Sequence, residues 1–66
     1  MITEDDLITI GLTSMKSMNI EATAESIYTD TKHKNIFINM LKLAKMKYKE
    51  LPKVVELIDS LITKLN

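Results

Sequence analysis

Apolar residues recur at helical spacing most cleanly in the last quarter of the chain. Between Pro52 and Leu65, the residues Val54, Ile58, Leu61 and Leu65 follow at steps of four, three and four. Val55, Leu57 and Ile62 widen that stripe, and Glu56, Asp59, Ser60, Thr63 and Lys64 fall on the other side. The spacing predicts an amphipathic helix over 52–65. A lone helix of this length is marginal in water, so its apolar face needs cover from the rest of the chain or from another chain.

The same reading predicts three earlier helices. Thr3 is a good N-cap with Asp6 three residues on, and a helix over 4–18 gathers Leu7, Ile8, Leu12, Met15 and Met18 on one side with Gly11 and Ser14. The alternation Ile8-Thr9-Ile10-Gly11-Leu12-Thr13 competes as a strand, but a single strand has nothing to pair with in a chain otherwise helical. Asn19 reads as a break and as the next N-cap, opening a helix over 20–29 with Ile20, Ala24, Ile27 and Tyr28 inward and Glu21 and Glu25 outward.

Asp30 or Thr31 can cap the third and longest helix, over 32–50. Stepped at about 100° per residue, Ile36, Phe37, Met40, Leu41, Leu43, Ala44 and Tyr48 form its apolar side. Lys34, Lys42, Lys45 and Lys49 lie opposite, with Asn35 and Asn39 at their margin and with Ile38 and Met46 as apolar residues among the lysines. Lys47 intrudes on the apolar side, where its amine can snorkel outward. Pro52 suits the first position of a helix and pushes Leu51 away from helical angles, so the third and fourth helices are expected to fold back on each other as an antiparallel hairpin. The rival is one kinked helix from Lys32 to Leu65, about 50 Å long, which would have to dimerise.

The expected fold is therefore all-α, one domain over 1–66, a small bundle of three to four short helices that dimerisation would help to complete. The apolar share of 45% argues against disorder. A chain of 66 residues nevertheless buries only about 60% of the surface its unfolded form exposes. There is no Cys, so no disulfide adds to the core, and with a single His no zinc site is expected. The acidic start Met1-Ile2-Thr3-Glu4-Asp5-Asp6 is unlike a secretory signal, and no apolar run approaches a membrane span. A cytoplasmic protein is expected, in the host cytoplasm if it is viral. All nine basic residues are Lys, which together with abundant Ile, Asn, Met and Thr suggests an A+T-rich genome such as that of a low-G+C bacterium or its phage.

Charge separates along the chain although the net charge is zero. Residues 1–31 carry six carboxylates against Lys16; residues 32–53 carry seven lysines against Glu50. Lys42, Lys45 and Lys49 at i, i+3 and i+7 repel one another by a few tenths of a kcal/mol per pair unless something negative lies near. The plain account of the stripe is a solvated face. Two others are an acidic protein surface, in this chain or another, and nucleic acid held by its phosphates. The absence of Arg, the zero net charge and the inward placement of Phe37 and Tyr48 weigh against nucleic acid. A helix-turn-helix formed by 20–28 and the helix from Lys32 lacks the usual Gly in its turn. A basic amphipathic helix lying on a membrane would need more aromatic anchors.

Catalytic chemistry finds little support. His33 sits between two lysines in a polar stretch, and no carboxylate at helical spacing is expected to orient it, so it reads as exposed. Placing Asp6 first in a calcium loop puts Ile8 and Ile10 where oxygen ligands are required. One Gly cannot make a phosphate-binding loop. Of the five Met, Met15, Met18 and Met40 fit core faces and Met46 reads as exposed. The expectation is a protein that is not an enzyme and takes no cofactor, metal or small-molecule substrate. It would bind another protein, or itself as a homodimer, as a regulator, inhibitor or adaptor, through Lys34, Ile38, Lys42, Lys45, Met46 and Lys49. The alternative is a DNA- or RNA-binding regulator using the same lysines.

Overall fold

A computed structural model describes all 66 residues. Four helices follow in order: α1 (Glu4–Ser17), α2 (Ala24–Thr29), α3 (Thr31–Lys47) and α4 (Pro52–Leu65), with no strand. The helix reading of residues 7–13 therefore holds over the strand reading. α1 starts at the predicted capping box: Asp6 N donates to Thr3 Oγ1 at 3.2 Å and Thr3 N donates to Asp6 Oδ2 at 3.0 Å.

Asn19 breaks the chain, but it does so as the residue that ends α1. Its φ of 59° is left-handed; its N–H donates to Lys16 O at 3.0 Å, and Ile20 N–H donates to Met15 O at 2.9 Å. This is a Schellman closure, and it turns Ile20 back toward the core. The cap of α2 is Thr23, whose Oγ1 accepts from Ser26 N, so α2 begins four residues later than the sequence suggests. Asp30 is at once the C-cap of α2 and the N-cap of α3, accepting from Lys32 N at 2.9 Å. That single-residue corner leaves no room for the three- or four-residue turn of a helix-turn-helix.

α3 stops at Lys47, short of Glu50. Residues 48–50 form a turn, Leu51 N–H donates to Tyr48 O, and Pro52 takes the first position of α4. The break at Pro52 is complete. Lys45 and Asp59 would lie about 21 Å apart along a continuous helix, yet their side chains meet at 2.8 Å, so the chain folds back.

All four helices contribute to one core: Leu7 and Met15 from α1, Ile27 from α2, Phe37, Ile38 and Leu41 from α3, and Val54, Ile58, Leu61 and Leu65 from α4. No charged or polar side chain is buried there. The α4 stripe is the one anticipated. On α1 the inner line is Leu7, Gly11 and Met15, and Met18, expected inward, is exposed at the helix end. Gly11 lets the Phe37 ring of α3 pack directly on the α1 backbone, since a Cβ there would overlap the ring. Lys64 Nζ donates to Glu4 Oε1 at 2.8 Å, tying the end of α4 to the start of α1, and this partner holds the Lys64 amine protonated to higher pH than usual.

The corner at Asp30 also carries a titration. Its carboxylate accepts from His33 Nδ1 at 2.7 Å as well as from Lys32 N; the His33 bond first and the backbone bond second hold its pKa below the usual value. His33 is thus a mostly covered side chain oriented by a carboxylate three residues before it, and the exposed, unoriented reading is corrected. A depressed folded pKa means that the stabilisation is present at neutral pH and is lost as pH falls below about 4 through the folded value. Asp30→Asn keeps a capping oxygen without the titration. It should leave the protein folded at pH 7 and flatten the loss of helical circular dichroism in acid; an acid limb identical to that of the parent would refute the assignment.

Candidate partner-binding face

The candidate site is the outer side of α3, and the fold divides the six residues the sequence brought together. Ile38 is only 8% exposed and belongs to the core, so it cannot meet a partner. Lys34 and Lys45 are half-buried beside it, and Lys45 Nζ is paired with Asp59 Oδ1 of α4 at 2.8 Å. Lys42, Met46 and Lys49 remain in water.

The division follows from how α3 is rotated. On a wheel of about 100° per residue, its buried positions Phe37, Ile38 and Leu41 centre roughly 75° away from the centre of its apolar residues as counted from sequence. α4 covers the flank that carries Ile38 and Lys45, whereas the opposite flank is covered only in part, at Ile36 and Met40. Leu43, expected inward, is accordingly 68% exposed. The hydrophobic pattern of α3 alone is too broad to show which of its two edges a neighbour covers, so it carries no signal that Leu43 is a surface residue.

What faces solvent is a narrow stripe. Asn35, Asn39, Lys42 and Met46 fall within about 60° of one another, and all four are exposed, with Lys49 continuing the line into the turn. No acidic residue occurs in α3. Lys32, Lys42, Lys47 and Lys49 make no ion pair. Lys47 does point outward as anticipated, its Nζ 5.7 Å from the centre of the Tyr48 ring. Met46 stands among these cations at 72% exposure.

Such a face can hold an anionic surface and bury a flexible apolar side chain. Nowhere do three or more His, Asp or Glu side chains come together as metal ligands would, and no helix is long and apolar enough to cross a membrane. Compared with protein-family models, with curated proteins and with solved structures, the chain matches none. The face must therefore be read from its own chemistry.

Proposed function

We propose that this protein acts by binding another protein, as a regulator, inhibitor or adaptor without catalysis of its own, and that the outer face of α3 takes an acidic, partly apolar surface of that partner. The observation that carries the reading is Met46 exposed between the unpaired Lys42 and Lys49. Burying a Met side chain is worth about 1.5–3 kcal/mol. A carboxylate-bearing partner would also relieve the repulsion among lysines on a helix that has no anion of its own. Neither group contributes to the core, so selection for folding alone gives no reason for this combination.

The test is capture from the source cell, with nuclease treatment in parallel. Lys42→Glu with Lys49→Glu should abolish capture of the protein partner and leave the circular dichroism spectrum unchanged. Capture by the double variant equal to that of the parent would end the proposal. A second reading, nucleic acid, draws on Asn35 and Asn39 in line with Lys42 on an acid-free helix, a set that can donate to phosphates and base edges. It requires binding to duplex or single strand that weakens steeply with salt, and loss of the captured material on nuclease treatment.

A further inference from the structure

Beside the Lys42–Met46 line lies a second surface, the shallow groove of about 110 Å³ between α1 and α3. Its floor is Gly11, Phe37 and Leu41, with Phe37 filling the space a side chain at Gly11 would take and the small Ser14 beside it. Its lips are apolar. On the α1 side Ile10 is 45% exposed. On the α3 side Met40 is half-buried, and the exposed Leu43 follows about 60° further round the helix.

The charges at the two lips are opposite. On α1 the exposed Asp6 lies about 40° beyond Ile10, on α3 the exposed Lys47 lies between Met40 and Leu43 round the helix, and neither is in an ion pair. The surface thus carries an anion and Ile10 on one side of the groove, and a cation with Met40 and Leu43 on the other. We infer that its occupant is a second copy of the chain. A twofold axis along the groove exchanges the two lips, so that α1 of each copy lies against α3 of the other: Ile10 meets Met40 and Leu43, and each anionic edge meets a cationic one. A face made of two unlike and complementary halves is what an isologous contact requires, and the apolar lips of both copies then leave water together. The contact leaves Lys42, Met46 and Lys49 outside, so it adds to the proposed partner-binding role without depending on it.

The absence of cysteine makes the pairing directly testable. Ile10→Cys and Leu43→Cys proteins, mixed and oxidised, should form the mixed disulfide dimer in preference to either homodimer. In sedimentation equilibrium the parent should self-associate to a dimer, and Leu43→Glu should weaken that association on the order of a hundredfold. Leu43 is exposed, so thermal unfolding of this variant at monomeric concentration should match that of the parent. A parent that stays monomeric at millimolar concentration, or cysteine variants that link Leu43→Cys only to itself, would overturn the inference. The monomeric Leu43→Glu protein should still capture the partner through the Lys42–Met46 face, whatever Lys42→Glu with Lys49→Glu does; loss of capture by Leu43→Glu would place Leu43 in the partner-binding face and overturn its assignment to the contact between copies.

Discussion

Gly11→Ala is expected to destabilise the protein by about 2 kcal/mol, although the same change in an ordinary exposed helix would stabilise it by about 1 kcal/mol. The gain comes from helix propensity and the loss from packing. The new methyl would overlap Cε2 and Cδ2 of Phe37, whose ring is fully buried against α1, so the ring or the two helices would have to shift to admit it. Overpacking of a tight core costs about 1–3 kcal/mol, and a rigid ring under an added Cβ belongs at the upper end. Gly11→Leu should prevent folding. For a chain of this size, with roughly 0.05–0.15 kcal/mol of stability per residue, even the alanine variant should melt on the order of 10 °C lower. Phe37→Leu shortens the obstructing side chain, so Gly11→Ala with Phe37→Leu should be more stable than the two single effects added together. Thermal and urea unfolding measure all four proteins. A Gly11→Ala protein more stable than its parent would show that α1 and α3 do not meet at this point.

Leu61→Asp should be the most damaging single change on α4. Leu61 is fully buried in the line Val54, Ile58, Leu61 and Leu65 that meets the other helices, and the core around it offers no polar group. A carboxylate there would be left without a partner, at a cost of several kcal/mol, comparable with the whole stability of the chain. The acid would escape part of this by staying protonated. Its pKa in the folded state would be raised, so the destabilisation should deepen as pH rises above about 4, the opposite of the Asp30 effect. Lys45→Gln is the contrast. Its pair with Asp59 is half in water on both sides, and its loss should cost at most about 1 kcal/mol. Similar urea midpoints for the two variants would mean that the inner and outer sides of the bundle have been assigned the wrong way round.

These two variants also mark how far the chain can be read without coordinates. The α4 seam was legible residue by residue because it combines a forced start at Pro52 with a stripe that has a charged or hydroxyl residue at most positions opposite. The capping box at Thr3 and Asp6 and the cap at Asp30 were legible for a similar reason: each is a local hydrogen bond between side chain and backbone that needs no distant partner. Asn19 was half legible. Asn serves either end of a helix, and only the left-handed turn that folds Ile20 onto the core shows that it closes α1 and leaves Thr23 to open α2.

The candidate site was the hardest to read because it lies on α3, where apolar residues occupy far more than half of the circumference. Ile38 among lysines looked like a surface anchor and is core; Leu43 among apolar residues looked like core and is surface. Lys42, Met46 and Lys49 were placed correctly in solvent, and Lys45 proved to be engaged by Asp59, a pairing 14 positions away in sequence.

By itself, the order of residues determined that this is a chain of three to four short helices, where three of their N-termini fall, that one face of α4 is buried, and that charge is divided between an acidic first half and a basic third helix. All of these follow from interactions within about four residues or from the period of the helix. Tertiary structure alone decided the rotation of α3, the contact of Phe37 with Gly11, and thus which lysines and which apolar residues are left in water. The reason is that an amphipathic helix specifies only that it has a face to cover, and the edge of that face is set by the neighbour that arrives to cover it.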